Sequence, residues 1–331
     1  MTEPIGVIGA GAWGTTLAVL LAETAPITLW TRRGDAAERM SRDRVNERYL
    51  PGVSLPASVS VVADPSALAA EHRFFVVAVP SEHVRATARS LSQALPAGTP
   101  ILSVVKGIEE GSRLRMSEVL AEELPGRPIA ALSGPNLARE IAAGKPAGSV
   151  IASADGDLAT ELAWVLSSER FRVYTNPDLI GVELCGALKN VVALAAGMVD
   201  GLGFGDSSKA AIITRGLAEM TRLGVAAGAN PLTFAGLAGV GDLIATCMSP
   251  LSRNRRAGEL IASGVAWPEA GERLTGVAEG VATVAGALEL AAAHGIEMPI
   301  AEQVRAVVFD DRPPLEAVAE LMARAPKGEL G

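Results

Sequence analysis

Apolar and polar positions in the first half of the chain follow two alternating rhythms. Short apolar runs occur at Ile5–Gly9, Ile27–Trp30, Phe74–Val79, Ile101–Val105, Ile129–Leu132 and Ser149–Ser153, with a last short one at Phe171–Tyr174. Their Val and Ile content suits strands buried on both faces. Between them, helical patterns run over Trp13–Thr24, Ala36–Arg48, Ser81–Leu95, Leu114–Glu123 and Leu158–Ser167. Strands alternating with helices predict a parallel sheet flanked by helices. From about Leu179 the strand rhythm stops. Alanine-rich helical patterns follow at Gly181–Met198, Ser207–Ala227, Pro231–Leu237, Asn254–Ser263, Ala278–His294 and Ile300–Phe309. Pro299, Pro313 and Pro314 punctuate the last part, with Pro314 at the first turn of a closing helix. The Lys327–Gly331 tail is expected to fray. The pattern therefore predicts a doubly wound α/β domain over 1–180 and an all-helical domain over 181–331, with the boundary near 176–190.

Gly9-Ala10-Gly11-Ala12-Trp13-Gly14 follows the first strand and opens the first helical pattern. Gly9 permits a tight turn, Gly11 lets the backbone approach a pyrophosphate, and Gly14 lets helix and strand pack closely. The helix N-terminus then presents N–H groups to the phosphates. Within a βαβ unit this is the fingerprint of a Rossmann-type dinucleotide site; alone it is also compatible with a tight strand–helix turn. An NAD site usually carries an acid at the end of the second strand. Here Thr31 stands there, followed by Arg32 and Arg33, which can pair with a 2′-phosphate. Asp35 lies slightly beyond. The expected cofactor is NADP or NAD, with NADP favoured.

Between Glu183 and Asp200, sixteen residues carry one formal charge, Lys189. A helix that is apolar all round is usually buried. An unpaired ammonium resists burial, because leaving water is costly or lowers its pKa. A lysine made less basic can take a proton near neutral pH, as a general base does. The alternative is a lysine that snorkels to the helix end or meets a distant carboxylate. Lys106 follows a strand end, where ligands of open α/β sheets bind, although an ordinary surface lysine also fits. Ser252-Arg253-Asn254-Arg255-Arg256 is the densest cationic run. It reads either as a helix start capped by Ser252 or Asn254, or as a phosphate clamp built on Arg253, Ser252, Asn254 and helix N–H groups. Arg255 and Arg256 read as plain surface charge. Asp242, after Gly239-Val240-Gly241, can bond a substrate hydroxyl, orient Lys189, or cap the next helix.

Composition narrows the classes. Hydrophobic residues at 49% and charged residues at 20% are ordinary for a soluble globular protein. A net charge of −8 speaks against general nucleic-acid binding, yet leaves room for a local cationic pocket. Cys185 and Cys247 are read as reduced thiols of a cytosolic protein, with a disulfide left open. His72, His83 and His294 are not spaced as metal ligands, so no metal is expected and the three are read as structural or surface residues. The start of the chain has no basic leader, and no uncharged apolar run reaches membrane-spanning length in a plausible context. A cytoplasmic protein without membrane insertion is expected, as a homodimer.

Eight short motifs stand along the chain in one order. They are Gly9 to Ala18, Ala78-Val79-Pro80-Ser81, Lys106-Gly107, Ser133-Gly134-Pro135-Asn136 with Ala138 and Glu140, and Glu183 to Asn190. Gly239 to Leu243, Ser252 to Arg255 and Glu279-Gly280 complete the set. In this the chain resembles the bacterial NAD(P)-dependent sn-glycerol-3-phosphate dehydrogenase family over nearly its full length. The resemblance implies reversible hydride transfer between NAD(P)H and dihydroxyacetone phosphate, giving sn-glycerol 3-phosphate for phospholipid synthesis. It implies Lys189 as proton acceptor, and Lys106, Gly134, Asn136, Asp242, Ser252, Arg253 and Asn254 as substrate contacts. It also implies Ala12, Trp13, Arg33, Tyr49, Lys106, Ala138, Arg253, Val277 and Glu279 as cofactor contacts. Two other readings remain: a dehydrogenase of another hydroxy acid or sugar acid on the same architecture, and a non-catalytic dinucleotide-binding sensor. A phosphate-free substrate would not need the Ser252–Asn254 clamp, and a sensor would not need two lysines in apolar contexts.

Overall fold

The structure, a computed structural model, describes residues 3–274, 276–325 and 328. The Lys327–Gly331 tail expected to fray lies outside the described residues, Gly328 apart. The first strands are β1 (Ile5–Ile8), β2 (Ile27–Trp30), β3 (Val45–Asn46), β4 (Leu50–Ser54) and β5 (Val59–Val62). They are followed by β6 (Phe75–Val77), β7 (Ile101–Ser103), β8 (Ile129–Ser133), β9 (Ala147–Ser153) and β10 (Phe171–Asn176). Eight of them form one sheet in the order β5-β2-β1-β6-β7-β8-β9-β10, while β3 and β4 pair as a separate hairpin. The helices among them are α1 (Ala12–Leu21), α2 (Gly34–Asp43), α3 (Val84–Leu91), α4 (Met116–Glu123), α5 (Ala138–Ala142) and α6 (Gly156–Leu166).

Both faces of the sheet are covered, which is why its strands read as continuous apolar runs. Ile5 and Val7 enter a core shared with Leu17 and Ala18 of α1. Ile8, Phe75 and Val77 enter the opposite core, with Val84 of α3 and Val119 of α4. The chain leaves β1 toward β2 and later returns to the other side of β1 as β6. Ligands of open α/β sheets bind at the strand ends beside such a reversal.

Several details depart from the sequence pattern. β9 pairs antiparallel with β8 and parallel with β10, so two strands run against the other six. β5 is a short edge strand that the apolar pattern does not mark. The helix expected to reach Arg48 stops at Asp43, where Arg44 turns left-handed (φ 54°), and the β3–β4 hairpin follows. A 3₁₀ turn at Ser81–His83 precedes α3. The short α5 is also unmarked in the pattern, as are the later helices Asp242–Met248 and Trp267–Glu272.

After β10 every regular element among the described residues is helical. These are α7 (Leu179–Gly201), α8 (Asp206–Ala226), α9 (Pro231–Phe234), α10 (Asp242–Met248), α11 (Arg253–Ala262) and α12 (Trp267–Glu272). They end with α13 (Glu279–Ala293), α14 (Pro299–Phe309) and α15 (Pro314–Met322), which Pro314 opens as expected. α7 is the hub of this part. By length and composition it could cross a membrane, but 89% of its most apolar window is buried inside the protein. Small residues let its neighbours touch it backbone to backbone. A methyl added at Gly258 of α11 would lie 2.1 Å from the Leu194 carbonyl oxygen, and one at Gly280 of α13 would lie 2.5 Å from that of Asn190. The starts of α11 and α13 are thereby carried to the middle of α7, where Lys189 stands.

Candidate active site

Lys189 is 6% exposed and Asp242 1%. The Lys189 Nζ donates to Asp242 Oδ1 at 2.6 Å and to Thr246 Oγ1 at 2.6 Å. On the other oxygen, Lys106 Nζ donates to Asp242 Oδ2 at 2.7 Å, and also to the Gly134 carbonyl at 3.0 Å. Lys189 does meet a distant carboxylate, as the plainer reading allowed. That carboxylate, however, carries a second ammonium, so the buried cluster keeps an excess positive charge. A simple structural ion pair has no use for that excess, because buried charge is costly unless matched. Burial pushes Lys189 down to about 8, the nearby Lys106 ammonium adds to this, and Asp242 opposes it. Burial acts to raise Asp242, but the two ammoniums hold it below the usual carboxylate range.

Three elements bring these groups together. α7 supplies Lys189 and the turn after β7 supplies Lys106. The first turn of α10 supplies Asp242, with Thr246 one turn later on the same face. Thr246 has no local mark in the sequence; its spacing of four from Asp242 is the signal, once α10 is known to be a helix. Of the three roles open to Asp242, its hydrogen bonds among the described residues fit the orienting one. Its oxygens accept from Lys106, Lys189 and Thr246.

The Ser252–Arg256 run is divided among different tasks. Ser252 Oγ caps α11 by accepting from the Arg255 N–H at 3.2 Å. Asn254 donates to Asn190 Oδ1 at 2.8 Å and accepts from the Gly280 N–H at 2.9 Å, so it ties α7, α11 and α13 together. Arg253 is exposed, and its guanidinium rests against the turn at Gly276, beside Val277. The reading of Arg255 as surface charge is overturned: its side chain is 16% exposed and pairs with Asp200 at 2.6 Å and Glu259 at 2.7 Å. Arg256 is exposed. Asn136 lies near by chain and by contact: its Nδ2 donates to Ser149 Oγ at 3.0 Å, while its buried Oδ1 has no partner among the described residues.

The glycine loop has the features a dinucleotide needs. Gly9 has φ +115°, and a methyl at Gly14 would lie 2.0 Å from the Gly9 carbonyl oxygen, so both positions require glycine. Nothing lies within 4 Å of where a Gly11 methyl would stand. No side chain caps the start of α1 and its first turn holds no acid, which leaves the N–H groups of Ala12, Trp13 and Gly14 for an anion. Asn46 of the hairpin, also unmarked in the sequence, steadies the loop by donating to the Ala10 carbonyl at 2.9 Å and to Thr15 Oγ1 at 2.8 Å. Ala138, at the start of α5, accepts from Thr16 Oγ1 of α1 at 3.2 Å. At the end of β2, Arg33 pairs bidentately with Asp35 (2.6 and 3.1 Å) and Arg32 is exposed, while the Arg48 guanidinium lies 5.1 Å from the centre of the Tyr49 ring. Glu279 opens α13 close enough to act electrostatically on Lys189. The residues present fit an NAD(P) cofactor.

The family model described as NAD-dependent glycerol-3-phosphate dehydrogenase N-terminus matches residues 4–159, and its C-terminus counterpart matches 178–319. The chain belongs to the NAD-dependent glycerol-3-phosphate dehydrogenase family. Its relatives named glycerol-3-phosphate dehydrogenase [NAD(P)+] include that of Thermobifida fusca, 49% identical over 98% of both chains. Another is that of Moorella thermoacetica, 49% identical over 98% of this chain and 97% of that one. The crystal structure of glycerol-3-phosphate dehydrogenase from Coxiella burnetii superposes with a TM-score of 0.94 at 39% identity, covering 98% of this chain and 99% of that one. The family membership therefore agrees with the resemblance drawn from the motifs.

The remaining side chains have structural tasks or lie at the surface. His72 is buried between the Ala70 carbonyl (2.7 Å) and Thr28 Oγ1 (3.2 Å), while His83 and His294 lie at the surface. Cys185 and Cys247 are free and buried. Burial pushes the Cys247 thiol up to about 12, so neither reads as a nucleophile.

Proposed function

We propose that the protein catalyses reversible reduction of dihydroxyacetone phosphate to sn-glycerol 3-phosphate, as a cytoplasmic homodimer that feeds phospholipid synthesis. Residues 1–180 act as the cofactor domain and 181–331 as the substrate domain. The single observation that carries this proposal is the buried Lys189–Asp242–Lys106 cluster, whose excess positive charge suits an oxygen that becomes an alkoxide and a substrate that brings a dianion.

When bound, the nicotinamide cofactor supplies the hydride for C2 of the ketone, or takes it from C2 of the alcohol. The uncapped start of α1 holds its pyrophosphate and the Arg33–Tyr49 region holds its adenosine end. NADP is the favoured form. The Arg33–Asp35 pair is exposed and so contributes little stability, which lets a 2′-phosphate replace Asp35 as the guanidinium's partner. In reduction, protonated Lys189 polarises the ketone oxygen and gives it a proton; in oxidation, the neutral amine takes the proton from the hydroxyl. Lys106 adds a second donor to the same oxygen region, and Asp242 and Thr246 hold Lys189 in one orientation. The unpaired Asn136 Oδ1 accepts from the C1 hydroxyl. Arg253 and the start of α11 bind the phosphate, with Ser252 and Asn254 fixing that helix end as well as lining it.

Oxidation of NADPH on addition of dihydroxyacetone phosphate, with phosphate-free dihydroxyacetone as control, tests the proposal. Turnover of the phosphorylated ketone alone supports it; turnover of a phosphate-free keto acid instead, or cofactor binding with no turnover, sinks it. Arg253→Ala is expected to raise KM for the phosphorylated substrate by roughly tenfold or more, the scale of a lost charge-assisted contact, with kcat changed less. Equal KM values for variant and unmodified protein would remove Arg253 from the clamp.

A further inference from the structure

Glu183, Gly186 and Lys189 follow one another along α7 at intervals of three residues, each a neighbour of the next. Lys189 enters the cluster described above. At Gly186 an added methyl would lie 3.2 Å from Lys106 Cγ and 2.7 Å from Ser133 Oγ, so the missing side chain makes room for the Lys106 stem. Glu183 is buried and grips the far end of the segment that begins with Lys106. Its Oε2 accepts from Arg115 at 2.6 Å and from Ser117 Oγ at 2.6 Å, and its Oε1 accepts from the Ser117 N–H at 2.8 Å. The segment from Lys106 to Arg115 is itself closed. Ile108 bridges Arg115, and the Glu109 N–H donates to the Leu114 carbonyl at 2.9 Å. A loop closed at its base and gripped at its end is held in register against α7.

We propose that Glu183 is a positioning residue for the reaction: through Arg115 and Ser117 it fixes the Lys106 segment against α7, so that both ammoniums share Asp242. Nothing in the proposed chemistry uses Glu183 directly, and it stands less than two helical turns from Lys189. The inference rests on the function proposed above. Its consequence concerns Lys189, which faces Asp242, Thr246 and Cys247 on α10, Lys106 after β7, and Glu279 on α13. Glu183 itself faces Arg115 and Ser117, and Arg115 also pairs with Glu118 at 2.7 Å. If the Lys106 ammonium retreats, Lys189 loses a neighbour that favours its neutral form.

Glu183→Gln keeps an acceptor for Ser117 and leaves Arg115 paired with Glu118. In this variant kcat for glycerol 3-phosphate oxidation is expected to fall about tenfold to a hundredfold, the scale of a displaced catalytic group. The pH at which oxidation switches on moves upward. Ser117→Ala, which keeps both charges, is expected to give a smaller change in the same direction and stands in should Glu183→Gln not fold. A lower melting temperature with kcat and pH profile superimposable on those of the unmodified protein would make Glu183 merely structural and overturn the proposal. Failure of the unmodified protein to turn over the substrate would overturn the functional assignment instead.

Discussion

Replacing Lys189 by alanine is expected to lower kcat by roughly a hundredfold or more, the usual scale for a lost acid–base group, while NADPH binding persists. The cofactor loop lies at the end of β1, and the hydrogen bonds of the Lys189 ammonium among the described residues go to Asp242 and Thr246 instead, so the loop's geometry does not depend on it. The variant also removes one of two positive charges from Asp242 and leaves the other, so the buried carboxylate still has Lys106 at 2.7 Å. The fold therefore keeps a matched pair where it had three charges, and the loss falls on chemistry rather than on stability. Steady-state kinetics in both directions, alongside cofactor titration, checks this. An unchanged kcat would remove Lys189 from the mechanism, and loss of cofactor binding would mean that its role is structural.

Asp242→Asn is expected to act on both stability and chemistry. Removing the carboxylate charge leaves two ammoniums facing each other in a buried site. Breaking a buried pair in this way costs on the order of 3–5 kcal/mol. Lys189 then favours its neutral form, since the counter-charge that opposed its burial is gone. Ketone reduction needs Lys189 protonated and is expected to fall about a hundredfold near neutral pH. Alcohol oxidation, which needs the neutral amine, should persist to lower pH than in the unmodified protein. A melting curve together with the two directional rates separates these effects. Equal loss in both directions at every pH would point to misfolding alone, and no loss in either would remove Asp242 from the site.

Much of this was legible in the chain because the signals are local. The glycine loop must be glycine at Gly9 and Gly14 for steric reasons, and apolar runs mark strands buried on both faces. One lysine in a long apolar helix marks a charge that needs a partner. What stayed hidden depends on tertiary approach. Thr246 looks like any helical threonine until α10 turns it toward Lys189. Asn46 sits in a hairpin whose local pattern resembles the end of a helix, so its grip on the loop has no local trace. Arg255 is flanked by charges and reads as surface, yet close packing of α11 on α7 brings it to Asp200. The antiparallel turn of β9 was hidden too, because a strand buried on both faces has the same composition in either direction. The partner of Lys189 was the least legible feature, since Asp242 is equally suited to cap a helix.

The pH dependence of kcat/KM in the two directions tests the central claim most directly, because it reads the protonation state of Lys189 before the substrate binds. With its pKa near 8, oxidation of glycerol 3-phosphate requires the amine to be neutral and should rise as pH passes upward through about 8. Reduction of dihydroxyacetone phosphate requires the ammonium and should fall over the same interval. Opposite limbs centred near that pH, absent in Lys189→Ala, are the predicted result. Limbs in the same direction in both reactions, or profiles unchanged by the substitution, would contradict the account.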